Sequence, residues 1–337
     1  MQLERIIVVR RPTRLEELKR RFNTKSQAEF YVQSRGQSFD DYELEDMTYS
    51  EAREAVLRAI PRSVKFLELD RSFLPNYVFA PEDLVLTLGQ DGLVVNTAKY
   101  LDGQNILAVN PDPARFDGIL LPFKVDDVQK TIEAYEADAL GVRPITMAKA
   151  ALNDGQELLA FNDLFIGPKT HTSARYSIRY RNAVENHSSS GLIVSTPAGS
   201  TGWMSSLYNQ TAGIAQFAGL QPQSISQKSQ NKTQPKSPDA SSSLSQSPLA
   251  APRLTWEERR LLFLVREPFR SQVSQTDIVA GFIEEGEDLV LESHMPESGV
   301  IFSDGMEWDF MQFNSGTVAR VSVSDKRTNL LVAEKIS

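Results

Sequence analysis

The first 140 residues alternate short apolar runs with segments of helical periodicity. Residues 6–9 form a β-branched apolar run, which predicts a buried strand. Thr13 is placed to cap the helix that follows, with Glu16 completing a capping box. Further predicted elements are a helix at 50–60, strands at 64–69, 83–88 and 105–109, and a helix at 93–101. This alternation predicts an α/β domain with a mainly parallel sheet over residues 1–140.

From residue 143 onward the pattern changes to strands separated by turns. The predicted strands lie at 145–152, 157–166, 176–180, 192–194, 261–265, 288–293, 300–302 and 319–323. Many strands with few helices predict a β-rich second domain over residues 141–319. A chain of 337 residues is long for one domain, so two domains that share a cleft are the natural expectation.

Residues 221–250 interrupt the second domain. They contain nine serines, six glutamines and four prolines, and no aromatic residue. Such a segment buries too little apolar surface to offset the entropy that it loses on ordering, which predicts a disordered insertion. The functional alternative is a lid or a partner-binding tail.

The composition excludes several kinds of site. The chain has no cysteine, which rules out disulfides, thiolate nucleophiles and cysteine-ligated metals. Its histidines, His171, His187 and His294, lack metal-ligand spacing, so we expect no protein metal site. The net charge of −8 argues against nonspecific nucleic-acid binding. No apolar run reaches the roughly 18–20 residues that span a bilayer. We therefore expect a cytoplasmic protein that binds neither nucleic acid nor a membrane.

The first candidate for chemistry is the Gly-Gln-Asp-Gly turn at residues 89–92, between a predicted strand and a predicted helix. A tight turn at this place needs glycine, and the N-terminus of a helix attracts anions. The carboxylate of Asp91 could approach a bound hydroxyl. Because aspartate is also a common turn and cap residue, the motif alone leaves a purely structural role open.

The second candidate is the loop within residues 191–203, which includes the run Ser-Thr-Pro-Ala-Gly-Ser-Thr. A strand leads here into small hydroxyl residues and glycine. These offer backbone N–H groups, hydroxyl donors and close backbone approach, which a nucleotide site requires. The alternative is a turn that caps the next helix, although the run of small residues is longer than a cap needs.

Two further motifs contain a carboxylate beside apolar residues. Asn162 and Asp163 are neighbours, so one of them would face the core of a strand unless a ligand or a bulge satisfies it. The alternative for this pair is a turn before a strand. Residues 302–307 contain Asp-Gly between apolar runs, which first of all indicates a hairpin.

Together and in this order, these motifs resemble those of the NAD kinase family. The family has a Gly-Gly-Asp-Gly turn, an Asn-Glu pair and a Thr-Pro-Thr-Gly-Ser-Thr loop. The matching segments are residues 89–92, 162–163 and 196–201. Apart from residues 221–250, the resemblance covers nearly the whole chain. The Thr-Pro-x-Gly-Ser-Thr loop is fairly specific, and the other motifs are specific only in combination.

The chain is most similar to the branch that includes the mitochondrial-type NAD kinases. This branch has a similar opening strand followed by Thr-Arg, as at Thr13 and Arg14. It also has an Asn-x-Asp-Pro turn, matched by residues 110–113, and an Arg-Glu-Pro triplet, matched by residues 266–268.

The resemblance implies an N-terminal α/β domain, a C-terminal β-sandwich, and a tail at about residues 320–337 that packs back on the first domain. NAD would lie in the cleft, and ATP or polyphosphate, with Mg²⁺, would phosphorylate the 2′-hydroxyl of its adenosine ribose. Asp91 would be the catalytic base. Family members are commonly dimers or tetramers, so a homo-oligomer is expected by analogy. The implied nucleotide-binding residues are Gly89, Gln90, Gly92, Asn110, Asn162, Asp163, Thr196, Gly199, Ser200 and Thr201.

The chain departs from the family pattern at four positions. These are Gln90 for the second glycine, Leu93 for the usual threonine, Asp163 for a glutamate and Ala198 for a hydroxyl residue. If the glycine is needed for a positive φ or for close phosphate contact, Gln90 weakens donor binding. Alternatives to an active NAD kinase therefore stay open. They are a silent nucleotide-binding protein, a kinase for another acceptor such as a lipid, and an interaction module that uses residues 221–250.

Overall fold

Residues 3–219, 252–307 and 309–333 are described by the computed structural model. The predicted insertion at 221–250 lies outside the described residues. The elements of the first part of the chain are, in order, β1 (Arg5–Arg10), α1 (Arg14–Phe22), α2 (Lys25–Gln33), α3 (Asp40–Ala59), β2 (Lys65–Asp70), β3 (Leu84–Leu88), α4 (Asp91–Ala98), β4 (Asn105–Asn110), β5 (Phe123–Lys124) and α5 (Val128–Glu136).

The strands of this part form a parallel sheet in the order β2-β1-β3-β4-β5. Alternate residues of β1 face opposite sides of the sheet: Ile7 and Val9 belong to one hydrophobic cluster, and Ile6 and Val8 to another. Helix α4 packs on the first cluster, whereas α3 and α5 pack on the second. Because both faces are covered at β1, β3 and β4, these three strands are almost continuously apolar, as the sequence predicted, whereas the edge strand β2 is largely exposed.

Helix α1 begins at the predicted cap. The Thr13 hydroxyl accepts a hydrogen bond from the Glu16 N–H at 3.1 Å, and the Glu16 carboxylate accepts one from the Thr13 N–H at 3.1 Å. Helix α3 begins at Asp40, well before the predicted start at residue 50, and α2 was not predicted. Helix α2 buries only Ala28 and Val32, so the spacing of its apolar residues is too weak to predict a helix.

The second part of the chain is built from β-strands and one helix. Its elements are β6 (Gly141–Leu152), β7 (Glu157–Ala160), β8 (Asp163–Pro168), β9 (Ala174–Tyr180), β10 (Ala183–Ser189), β11 (Leu192–Ser195), α6 (Trp203–Phe217), β12 (Arg260–Val265), β13 (Ala280–Glu284), β14 (Leu289–Ser293), β15 (Gly299–Ser303), β16 (Phe310–Gln312) and β17 (Val318–Val332).

Two antiparallel layers make this part a β-sandwich. One sheet has the strand order β13-β12-β11-β8-β15-β16, and it packs against the layer that contains β9, β14, β17 and β6. Leu164 and Ile166 of β8 point into the core between the layers, whereas Phe165 lies on the opposite face, which α6 covers. The predicted fold class, an α/β domain with a parallel sheet followed by a β-rich domain, is confirmed.

Strand β17 connects the two parts. It pairs antiparallel with β6 and β14, and through Asn329 and Leu330 it pairs parallel with β4. The parallel sheet and one layer of the sandwich therefore form a single sheet of 11 strands. Leu330 and Leu331 complete the two hydrophobic clusters on opposite faces of the parallel sheet.

The helices of the described ranges 3–219, 252–307 and 309–333 include none with the length and apolar character required to cross a membrane.

Leu331→Ala should destabilise the protein strongly, because Leu331 is 1% exposed and lies in the core of the first part. Truncation of a buried leucine costs about 2–5 kcal/mol of unfolding free energy. Urea denaturation measures this loss. Val142→Ala is the matched control, because Val142 pairs with Leu331 on the neighbouring strand but is 41% exposed. Equal losses in the two variants would contradict the packing of β17 described above.

Candidate functional site

The Gly-Gln-Asp-Gly turn joins β3 to α4. Gly89 is buried against the first turn of the helix, where an added Cβ would lie 2.8 Å from Leu93 Cδ2. Gln90 has a φ of −86° and a ψ of 170°, an extended conformation that any residue adopts. Gly92 faces open space. A Cβ at position 89 would therefore force the Leu93 side chain to move, whereas glutamine at position 90 causes no backbone strain.

Asp91 is the first residue of α4 and is half-buried. Its Oδ1 accepts a hydrogen bond from the Leu120 N–H at 2.8 Å, which fixes the carboxylate against the loop after β4. Its Oδ2 has no hydrogen-bond partner among the residues that the structure describes. Asp91 therefore offers one oriented, free oxygen.

Asn110 shapes the loop that contacts Asp91. It is 3% exposed, its amide group donates to the Phe116 carbonyl at 2.9 Å, and its Oδ1 accepts from the Asp112 N–H at 3.0 Å. Both ends of the side-chain amide are thus used within the loop. In this structure Asn110 acts on the site through the position of the backbone that follows β4.

The turn before β8, residues 161–163, is held by one carboxylate. Asp304 accepts hydrogen bonds from the N–H groups of Phe161 at 3.0 Å, Asn162 at 2.6 Å and Asp163 at 3.2 Å. Strands β15 and β16, which flank Asp304, form the expected hairpin. The sequence interpretation as a hairpin did not include this role of Asp304; the only signal was an aspartate next to glycine after an apolar run.

The loop at residues 196–201 holds the same turn from another side. The Thr196 N–H donates to the Asn162 carbonyl at 2.9 Å, and the Thr196 hydroxyl donates to the Phe161 carbonyl at 2.5 Å. Gly199 packs so closely on the turn that an added Cβ would lie 2.6 Å from the Asn162 carbonyl carbon. The turn and the loop therefore fix each other through their backbones.

The hydroxyl groups of this loop differ in their availability. Thr196 also accepts a hydrogen bond from the Gly199 N–H at 3.1 Å, and the Ser200 hydroxyl donates to the Pro197 carbonyl at 2.7 Å. Thr196 and Ser200 are buried, whereas Thr201 is exposed. The buried hydroxyls thus maintain the shape of the loop, and Thr201 is the one of the three that a ligand can reach directly.

Helix α4 and the two backbone segments meet in one hydrophobic cluster. Leu93 and Val94 of α4 share this cluster with Phe161 and Ala198. Helix α4 therefore packs in the same hydrophobic cluster as the turn 161–163 and the loop 196–201, at the junction of the two parts of the chain.

Asp163 carries a strongly perturbed carboxyl group. Burial raises the pKa of Asp163 to about 7, the Asp304 carboxylate adds to the shift, and the Ser195 hydroxyl opposes it. Oδ1 of Asp163 is buried and has no hydrogen-bond partner among the described residues. A buried carboxylate oxygen without a partner is costly, which agrees with the raised pKa of this group.

A buried lysine links the end of α4 to the β15–β16 hairpin. Lys99 Nζ donates to the Ser303 hydroxyl at 3.0 Å and lies 4.0 Å from Asp309 Oδ2, which also accepts from the Tyr100 hydroxyl at 2.8 Å. Burial lowers the pKa of Lys99 and raises that of Asp304, and the attraction between the two opposes both shifts. No sequence motif indicated Lys99 as part of this site.

A cavity of about 910 Å³ opens beside the start of α6, and none of the residues 89–92, 161–163 and 196–201 lines it. Trp203, the first residue of α6, lines it together with Phe165, and their rings stack with centroids 5.9 Å apart. The Arg266 guanidinium lies 5.6 Å from the centroid of the Trp203 ring. Aromatic faces beside a cation suit a planar ligand with anionic groups. Together with the carboxylate at the start of α4 and the loop of small residues, this arrangement is typical of nucleotide sites.

Comparison with curated proteins gives matches to NAD kinases. The chain is 29% identical to an NAD kinase of Campylobacter jejuni over 142 residues, which cover 39% of this chain and 49% of the relative. It is 32% identical to an NAD kinase of Heliobacterium modesticaldum over 130 residues, which cover 36% and 44%. The chain thus spans about half the length of the curated relatives it matches. No protein-family model matches the chain.

Two solved structures have a similar fold. An NAD kinase from Archaeoglobus fulgidus in complex with ATP has a TM-score of 0.51 at 13% identity, covering 97% of this chain and 92% of that one. Yeast NADH kinase complexed with NADH has a TM-score of 0.54 at 14% identity, covering 98% and 83%. Sequence and fold similarity together support the NAD kinase family. The mitochondrial-type branch stays a prediction.

Gly199→Ala should destabilise the candidate site, because the added methyl group would collide with the Asn162 backbone. Overpacking of this kind costs about 1–3 kcal/mol of unfolding free energy. Gly213→Ala on α6 is the matched control, since nothing lies within 4 Å of the added methyl group. There, alanine should increase stability by about 0.5–1 kcal/mol. If both variants shift the thermal unfolding midpoint upward, the close contact at Gly199 is wrong.

Asp163→Asn should reduce the pH dependence of stability. An unfolded aspartate has a pKa of about 3.9, whereas that of Asp163 is raised to about 7 in the folded protein. Between these values the folded protein keeps a proton that the unfolded chain releases, so stability falls as pH rises. The pKa of Asp304 is also raised, so this residue likewise makes the free energy of unfolding fall as pH rises. Between pH 5 and pH 7, the free energy of unfolding measured with urea should decrease less for the variant than for the wild type. An equal decrease in the two proteins would refute the raised pKa of Asp163.

Proposed function

We propose that the protein is an NAD kinase, which transfers a phosphoryl group from ATP or polyphosphate to the 2′-hydroxyl of the adenosine ribose of NAD, giving NADP. The observation that carries the proposal is the free Oδ2 of Asp91 at the start of α4, a helix that shares a hydrophobic cluster with the turn 161–163 and the loop 196–201. Similarity to NAD kinases in sequence and in fold supports it.

Asp91 would act as the general base. The ribose oxygen forms a bond to the terminal phosphorus atom of the donor, while the bond from that phosphorus to the leaving phosphate oxygen breaks. The hydroxyl proton passes to Oδ2 of Asp91. Because the Leu120 N–H holds Oδ1, the carboxylate is already oriented before the substrate binds. A positioned base of this kind contributes a factor of roughly 10²–10⁴ to the rate.

Asn162 and Asp163 would hold the ribose that carries the reacting hydroxyl. Their side chains would bond the ribose hydroxyls, as the resemblance to the NAD kinase family implies. The turn that carries both residues is fixed by Asp304 and by Thr196, so little freedom is lost on binding.

The cavity beside Trp203 would accommodate another portion of the dinucleotide. Its volume of about 910 Å³ lies within the range of roughly 300–1,000 Å³ that is typical of ligand pockets. The Trp203 ring offers a face on which a base can stack, and Arg266 provides a positive charge for a phosphate group.

Mg²⁺ fits this site as an ion that arrives with the phosphoryl donor. The described ranges 3–219, 252–307 and 309–333 contain no group of three or more acidic or histidine side chains that could hold a metal ion on its own. Magnesium in such sites is bound mainly by phosphates and water, with at most one or two carboxylates, so the donor phosphates would hold most of its coordination shell. When bound, Mg²⁺ neutralises negative charge on the phosphate oxygens.

A nucleotide-binding protein without kinase activity is the second candidate, favoured by Gln90 in place of a family glycine. The extended backbone of Gln90 removes one reason for inactivity, because this conformation does not need glycine. Its side chain makes no cap hydrogen bond, so the amide is available to donate to a phosphate oxygen. We therefore favour the active kinase.

Asp91→Asn should lower kcat by roughly 10²–10⁴-fold, because asparagine keeps the shape of the side chain but cannot accept the proton. The measurement is NADP formation by the purified protein from NAD, Mg²⁺ and either ATP or polyphosphate. Asp126→Asn, at an exposed position before α5, is the matched control and should retain activity. If the wild type forms no NADP with either donor, but NAD still stabilises it against heat, the silent nucleotide-binding protein replaces the kinase.

A further inference from the structure

Three arginines surround one buried glutamate at the carboxyl edge of the parallel sheet. Arg11 follows β1, Arg14 opens α1, and Arg115 lies in the loop after β4. All three guanidinium groups lie beside the Glu45 carboxylate on α3: Arg11 at 3.5 Å, Arg115 at 3.9 Å, and Arg14 in direct ion-pair contact. The Glu45 side chain is only 9% exposed, so this carboxylate forms the floor of the cluster.

The three guanidinium groups have more N–H donors than the carboxylates of the cluster accept. Arg14 donates a hydrogen bond to Glu45, but Arg11 and Arg115 make only longer ionic contacts, and their side chains donate no hydrogen bond to any described residue. Asp112 lies 3.9 Å from Arg115, again beyond hydrogen-bond distance. Each guanidinium carries five N–H donors and stays charged at every physiological pH. The cluster is therefore poised for oxygen atoms that the protein does not supply.

These side chains border a cavity of about 620 Å³ that adjoins the proposed base. Gln90 lines it together with the three arginines, Phe116, Glu45 and the exposed Asp41. Gln90 directly precedes Asp91, and the loop that carries Arg115 also carries the Leu120 N–H that holds the Asp91 carboxylate. In open α/β sheets, ligands bind outside the carboxyl ends of the strands. The position of the cavity, its size and the free donors that line it are therefore all consistent with a ligand site.

We propose that this arginine cavity, defined by Arg11, Arg14, Arg115 and Gln90, binds the phosphate chain of the phosphoryl donor. The assignment rests on the proposed kinase function. Planar guanidinium groups pair with phosphate oxygens through two parallel hydrogen bonds, and the Gln90 amide adds a donor where the family motif has only backbone. The cavity thus holds the donor at the N-terminus of α4, at the same carboxyl edge of the sheet as Asp91.

The test uses Arg11→Gln and Arg115→Gln in the full-length protein, because these two side chains have unused donors. Arg53→Gln is the matched control: Arg53 lies on α3 and bonds Glu68 at 2.5 and 2.7 Å, outside the cavity. Donor KM and NAD KM are measured with ATP and with polyphosphate, and binding of inorganic tripolyphosphate is measured by calorimetry at fixed ionic strength. Thermal unfolding confirms that each variant is folded.

Each cavity variant should raise the donor KM and the tripolyphosphate Kd by roughly tenfold or more, as expected for losing a charged hydrogen bond. The NAD KM and the Arg53→Gln values should stay close to wild type. Equal rises for ATP and polyphosphate support a site for the phosphate chain; a rise confined to ATP overturns it.

Failure of this inference differs from failure of the proposed function. If the wild type forms NADP and both variants keep the wild-type donor KM, the arginine cavity is not the donor site and the kinase stands. If the wild type forms no NADP, but it binds tripolyphosphate and both variants lose that binding, the phosphate site stands and the kinase proposal fails.

Discussion

Three consecutive backbone N–H groups, at residues 161–163, donate to the single carboxylate of Asp304. Such an arrangement needs a carboxylate brought close to a turn that belongs to another strand, and it is costly to disrupt because three partly buried donors would lose their acceptor together. These three hydrogen bonds fix the position of the candidate site. The Thr196 loop packs on the other side of the turn, and Lys99 ties α4 to the neighbouring Ser303.

The candidate site is therefore organised mainly through backbone contacts. Of the conspicuous hydroxyl residues, Thr196 and Ser200 donate to nearby carbonyl groups, and Gly199 is needed because no Cβ fits against Asn162. Among the described residues, polar side-chain atoms without a partner remain at Oδ2 of Asp91, the amide of Gln90 and the exposed hydroxyl of Thr201. A motif dense in polar residues thus provides a rigid support, and few polar groups remain for a ligand.

The sequence predicted the fold class and the elements that have strong apolar periodicity. β1, β3 and β4 are continuous apolar runs because both sheet faces are covered, and Thr13 with Glu16 marks the start of α1. Helix α6 was missed because it buries little beyond Met204, and β10 was missed because it is largely polar. Asp304 and the arginine cavity could not be read from the sequence, since they depend on contacts between residues distant in the chain and on the register of β15.

The 15-residue strand β17 runs from the sandwich into the parallel sheet, so the two parts share one hydrogen-bonded surface. Many two-domain enzymes close over their substrates by rigid-body rotation about a flexible hinge. Here a rotation of that kind would shear the ladder between β17, β6 and β4, so the angle between the parts is set by the sheet itself. The relative position of the two parts that carry the candidate site is therefore fixed before any ligand arrives.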